Sequence, residues 1–147
     1  MAVTFKNPAD AVTAQGIKGV VYGASSTGKT TLCATAGVPT CLISAEAGLL
    51  SIRNAPNTVQ IVEVHCVQDV QDVLNYLKKE GPPPWVCLDS ISELAGLSLA
   101  EERLKVKNKL QAYGEMADII EALIRGFRDL PNTNVLFTAK QARNKDD

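Results

Sequence analysis

The sequence predicts a three-layer α/β fold in which a mostly parallel β-sheet is covered by helices on both faces. Three observations carry that expectation. Short β-prone runs alternate with helical stretches along the chain. Most of those runs are continuously apolar, as strands buried on both faces must be. The first run also feeds a polar, glycine-bearing loop that opens directly into a helix. The chain has 147 residues, 46% of them hydrophobic and 21% charged, ordinary values for one soluble domain with a real core. Residues 1–147 therefore read as a single domain, without repeats, low-complexity tracts or a long linker.

The elements follow in order. Residues 17–22 form a short β-prone run ending at Gly23. After the loop, 29–35 suit a short helix, stopped by Gly37 and Pro39. A second strand covers 40–44 and ends at Ala45 and Glu46; a third covers 59–64. Residues 67–79 place Val70, Val73, Leu74 and Leu77 on one helical face, and Gly81 with three following prolines ends that helix. Residues 85–88 are wholly apolar and are closed by Asp89. The stretch 91–130 is helical in pattern, most clearly through Ala117, Ile120, Leu123, Ile124 and Phe127, until Pro131 stops it. Residues 135–139 are the last strand.

Bulk properties exclude some functions. The net charge of −1 gives no global field toward nucleic acid or an anionic membrane, so any DNA contact must come from a local basic patch. The apolar runs are too short to span a bilayer and the first ten residues lack a secretory apolar stretch. The four cysteines, Cys33, Cys41, Cys66 and Cys87, form no C-x-x-C pair; they read as reduced, mostly core thiols of a cytoplasmic protein.

The loop itself is the strongest signal. Gly23-Ala24-Ser25-Ser26-Thr27-Gly28-Lys29-Thr30 fits G-x-x-x-x-G-K-S/T at every position. Glycines let the backbone curl so that successive N–H groups face phosphate oxygens, and the following helix N-terminus favours an anion. Lys29 then reaches the β- and γ-phosphates of ATP and the Thr30 hydroxyl ligates Mg²⁺; the nucleotide-binding set runs from Gly23 to Thr31. A chance match would occur in roughly one chain in a few hundred, and the strand before it and helix after it reduce that further.

Phosphoryl transfer to water also needs a held metal and a group that orients the attacking water. Asp89, closing the run W-V-C-L-D, is placed to hold a magnesium-bound water; as an alternative it, or Ser90, caps the next helix. Glu46 follows the second strand. Ligands bind beyond the carboxyl ends of parallel strands, so Glu46 faces the same crevice and is the candidate catalytic base.

Taken together, G-A-S-S-T-G-K-T-T-L, L-I-S-A-E-A-G-L-L, W-V-C-L-D-S-I-S-E-L and N-V-L-F-T-A-K-Q resemble the RecA-like P-loop ATPases, and more narrowly small phage nucleotide-binding proteins that act as single-strand annealing recombinases. The resemblance spans nearly the whole chain. It implies a P-loop NTPase of the RecA-like kind, with Glu46 activating water, Asp89 on the metal, and a polar residue at the end of the last strand sensing the γ-phosphate. Gln141 is the preferred sensor and Lys140 the alternative. It further implies a homo-oligomer in the cytoplasm (a host's, if phage-encoded), with single-stranded DNA and a single-stranded-DNA-binding protein as partners. Two DNA-facing loops are implied. The first falls on Arg103, Lys105, Lys107 and Lys109, with Tyr113 nearby to stack on a base, although such runs are commonly a solvated helix face. The second begins near Arg143. Relatives continue with further strands, so the chain reads as a core truncated at its C-terminus.

Two other functions fit the same loop. One is a small-molecule kinase, although no arginine-rich lid is visible between Asp89 and Leu130. The other is a non-catalytic, nucleotide-dependent interaction module.

Overall fold

A computed structural model describes residues 7, 16–46 and 49–141 of the chain. Five strands form one sheet: β1 (Lys18–Gly23), β2 (Thr40–Ser44), β3 (Val59–Glu63), β4 (Trp85–Asp89) and β5 (Asn134–Lys140). Every pairing is parallel and the spatial order is β1-β5-β4-β2-β3. The helices are α1 (Lys29–Cys33), α2 (Val67–Glu80), α3 (Ile91–Lys105) and α4 (Lys109–Arg128), with a 3-10 turn at Leu49–Ile52.

Period-two alternation sorts the strand residues into two cores. Cys41, Ile43, Val86, Leu88, Val135 and Phe137 pack with Val70, Leu74, Leu94, Leu123 and Phe127 of α2, α3 and α4. Leu42 and Cys87, on the opposite face, meet Cys33 of α1 and Ile52 of the 3-10 turn. Helices thus cover both faces and the expected three layers form. All five residues of β2 are buried, and its middle is apolar from Cys41 to Ile43, with Thr40 and Ser44 as buried polar ends. The buried thiols are inert core groups: burial pushes Cys41 up to about 11, and a hydrogen bond from Cys87 together with burial raises Cys33 further.

The register aligns the strand ends. Ser44 lies beside Asp89 and Gly23 beside Lys140, so the residues leaving β1, β2, β4 and β5 emerge along one edge. After β1 the chain crosses to the α1 face, and after β4 to the α3/α4 face. Connections diverging to opposite faces leave a crevice at that edge.

Two helix boundaries differ from the sequence expectation. The stretch 91–130, helical in pattern, holds two helices, α3 and α4. Val106 is extended, and the Asn108 side chain accepts from the Leu110 N–H at 2.9 Å, starting α4 afresh. Helix α1 ends at Cys33 rather than 35, where the Thr35 hydroxyl donates to the Leu32 carbonyl and competes with further helix. Arg143, where the second DNA-facing loop is expected to begin, lies outside the described residues. Among the described residues no helix is long and apolar enough to cross a membrane.

Gly126 marks the close approach of α4 to α2: a Cβ there would stand 2.5 Å from Leu74 Cδ2. Gly126→Val is expected to lower unfolding free energy by roughly 1–3 kcal/mol through overpacking. Gly114→Ala, in the same helix with nothing within 4 Å, is expected to be neutral or to stabilise by up to about 1 kcal/mol; urea titration measures both.

At the start of α2, Asp69 accepts from the backbone N–H groups of His65 and Cys66 at 2.8 and 3.1 Å. The His65 N–H, first among these donors, holds the carboxyl below its ordinary value of 3.8. The contribution of this cap is therefore complete above the unfolded-state value and is lost as pH falls through the folded one. The stability difference between the protein and Asp69→Ala should be present at pH 7 and vanish in strong acid, as followed by thermal unfolding across pH.

Candidate functional site

The loop between β1 and α1 is shaped by two left-handed residues, Gly28 at φ 88° and Ser26 at φ 63°, which reverse the backbone tightly enough to turn it inward. Lys29 arches back over the loop, its Nζ donating to the carbonyls of Gly23 and Ala24 at 3.0 and 2.7 Å. Thr27 donates its hydroxyl to Ala24 O at 2.9 Å. A Cβ at Gly23 would lie 3.2 Å from that same hydroxyl, so the glycine keeps the turn open. With only five residues, α1 offers its unpaired first-turn N–H groups rather than a long dipole.

Asp89, at the end of β4, is 2% exposed. A buried carboxylate is costly unless hydrogen-bonded, and two threonines satisfy it. Thr30 of α1 donates to Oδ2 at 2.5 Å, and Thr138 of β5 donates to Oδ1. The helix-capping alternative for Asp89 falls to its neighbour, joined to it by a cis peptide: Ser90 Oγ accepts from the Glu93 N–H at 3.3 Å at the start of α3.

The same Ser90 hydroxyl donates to Glu46 Oε1 at 2.9 Å. Glu46 is further held by the Ser44 hydroxyl donating to its backbone carbonyl at 2.9 Å. The Lys140 ammonium lies 3.4 Å from Glu46 Oε1 and also contacts Glu93. These neighbours, Glu93 first and then Glu46, raise Lys140 above its ordinary value, so it is fully charged at neutral pH.

A cleft of about 390 Å³ gathers Ser25, Ser26, Gly28, Lys29, Thr30 and Thr31 with Glu46, Asp89 and Lys140. The two acids singled out in the sequence therefore face the loop from neighbouring strand ends. Gly23, Ala24 and Thr27 shape the loop from behind, through the bonds just described. Of the two residues ending β5, Lys140 lines the cleft. Gln141, preferred in the sequence reading, is exposed and places its backbone N–H on Gly23 O at 3.0 Å. Lys140 is the residue of β5 in register with Gly23.

Arg103, Lys105, Lys107 and Lys109 are not at the cleft. They crowd the corner between α3 and α4, where cations also favour the C-terminus of α3. Arg103 lies over the Tyr113 ring at 5.5 Å and donates to its hydroxyl at 3.2 Å; Lys105 pairs with Glu102 at 2.7 Å.

The sequence reading missed Thr138 and left Ser90 without a link to Glu46. A polar residue inside an otherwise apolar strand, V-L-F-T-A, is the only mark Thr138 leaves. The pairing of β5 with β4 is what makes it meaningful.

The donor set suits a magnesium ion shared with phosphate. Thr30 and Asp89 offer hard oxygens alone, and among the described residues no group of three or more His, Cys, Asp or Glu could hold an ion. Mg²⁺ keeps waters and takes phosphate oxygens beside one or two protein ligands, whereas a soft or structural metal needs a fuller protein cage.

A family model described as an AAA domain matches residues 15–147. No curated protein matches the chain.

Thr138→Val keeps the shape and removes one donor to Asp89. The buried oxygen left behind should lower stability by roughly 1–3 kcal/mol, measured by denaturant unfolding.

Proposed function

This chain belongs to the AAA domain family of P-loop NTPases, and from that premise we propose that it binds ATP with Mg²⁺, hydrolyses the γ-phosphate, and acts on single-stranded DNA in phage-type recombination or strand annealing. The observation that supports the hydrolytic part is the meeting of Lys29, Thr30, Asp89 and Glu46 in one cleft. Loop amides and the Lys29 ammonium hold phosphate oxygens. Thr30 would hold Mg²⁺ through its hydroxyl, and Asp89, held by two hydroxyls, would position a water beside it. The metal, when bound, neutralises charge on the transferring phosphoryl group. Glu46, fixed by Ser90, orients the attacking water and takes its proton.

The DNA part rests on the RecA-like resemblance and on the basic corner. Arg103 and Lys105 already have partners in Tyr113 and Glu102, so Lys107 and Lys109, both exposed, are the cations that would reach strand phosphates. A homo-oligomer and a single-stranded-DNA-binding protein belong to the same proposal.

A second reading has one observation in its favour. A groove of about 720 Å³ opens on the other side of Glu46, with Arg53 and His65 in its lining, a volume suited to a small phosphoryl acceptor. Product analysis separates the two: free phosphate for hydrolysis, a phosphorylated acceptor for a kinase.

Lys29→Ala should abolish nucleotide binding by calorimetry. Glu46→Gln should retain binding and lose at least about 10²-fold in phosphate release; equal loss of both means Glu46 has another role. Single-stranded DNA should stimulate release, and stimulation should fade with salt. Replacing Lys107 and Lys109 by Gln should reduce the log–log salt slope of DNA binding by about 1.4. An unchanged slope removes the corner from the DNA interface.

A further inference from the structure

We propose that Thr138 is a positioning residue for the metal: by fixing the Asp89 carboxylate it directs the lone pairs of the Thr30 hydroxyl to Mg²⁺, and so sets how tightly and how selectively the cleft takes that ion. This rests on the nucleotide and magnesium reading above.

Proton counting gives each contact its direction. A threonine hydroxyl has one proton and two lone pairs, and a carboxylate only accepts. Thr138 gives its proton to Asp89 Oδ1, and Thr30 gives its proton to Asp89 Oδ2 at 2.5 Å. Thr30 therefore keeps its lone pairs, and it lines the cleft beside Lys29. A hydroxyl committed in this way meets a cation with oxygen rather than with hydrogen.

The two contacts on Asp89 are not equivalent. Thr30 is half-buried, on a five-residue helix at the cleft. Thr138 is 0% exposed and sits on β5, between β1 and β4. It is in register with Val21 of β1, and the pair before it, Phe137 with Leu88, holds β5 to the strand that carries Asp89. A β-branched side chain has little χ1 freedom, so Thr138 is a rigid donor. The terminal torsion of an aspartate is broad and roughly two-fold. Held by Thr30 alone, the carboxylate can turn about that single bond. Held by Thr138 as well, its plane is set and Oδ2 faces the loop.

Thr138 is not part of the cleft lining, so it acts through Asp89. Mg²⁺ is the ion most sensitive to such positioning, because it demands near-octahedral oxygen geometry, whereas Ca²⁺ accepts irregular sets. Groups that orient a carboxylate at a metal site change metal affinity by about 10- to 100-fold.

The test measures affinity for a non-hydrolysable ATP analogue by calorimetry, in EDTA and then with Mg²⁺ or Ca²⁺. The ratio of affinities with and without metal is the gain, and linkage makes it the factor by which nucleotide strengthens metal binding. Thr138→Val should leave the metal-free affinity unchanged and lower the Mg²⁺ gain roughly tenfold. Its Ca²⁺ gain should fall by less than about threefold. Thr138→Ser keeps the donor and should restore most of the Mg²⁺ gain. Thr138→Cys, a weak donor of similar bulk, replaces the valine variant if that one does not fold, with the same expected loss. Thr133→Val is the control for a merely structural role. Thr133 is 2% exposed and donates to Pro83 O at 2.6 Å, just before the other end of β5, so its loss should lower stability and spare the gain. An undiminished Mg²⁺ gain in Thr138→Val, equal losses for the two ions, or the same fall in Thr133→Val overturns the role of Thr138. No gain from Mg²⁺ in the unaltered protein overturns the magnesium reading instead, and no nucleotide binding at all overturns the nucleotide reading.

Discussion

A single buried carboxylate constrains the rest of the site. Asp89 ends the central strand β4 at 2% exposure, and its two oxygens are held by hydroxyls from elements on different sides: Thr30 from the loop helix and Thr138 from β5. A charge in that position is tolerated only if its acceptors are filled. Filling them ties three segments, far apart in sequence, into one geometry. The loop cannot drift from β4 without breaking the Thr30 bond, and β5 cannot slip in register without turning Thr138 away.

The strand order makes this possible. With β5 between β1 and β4, the phosphate loop and Asp89 are separated by one strand, and α1 leans across that gap to bring Thr30 to the acid. On the far side of β4, β2 delivers Glu46. The sheet therefore presents two acids, Asp89 and Glu46, on adjacent strands, facing one loop. Ser90 joins two roles: a single hydroxyl caps α3 and holds Glu46, so the start of that helix and the orientation of the candidate base are one structural unit.

Much of this was legible in the residues, and the parts that were not share a cause. The loop is a local pattern, and the apolar runs inside β2 and β4 identify those strands because burial on both faces leaves polar residues only at their ends. The break at Val106 and Asn108 was hidden because lysine and valine neither stop nor start a helix by themselves; the Asn108 cap decides it only once α4 packs on α3. Thr138 was invisible because its meaning lies in β4, forty-nine residues away. Which of Lys140 and Gln141 lines the cleft depends on a one-residue register that a single strand cannot specify without its neighbour. Local chemistry reads from the chain, whereas partners across the sheet do not.

A crystal structure with a non-hydrolysable ATP analogue, and Mn²⁺ in place of Mg²⁺, would probe the Asp89 constraint directly. An anomalous peak should appear bonded to the Thr30 hydroxyl and to phosphate oxygens, with Asp89 reaching it through an ordered water and Glu46 facing the terminal phosphate. A nucleotide seated away from Lys29, or a metal that ignores both Thr30 and Asp89, would contradict that arrangement.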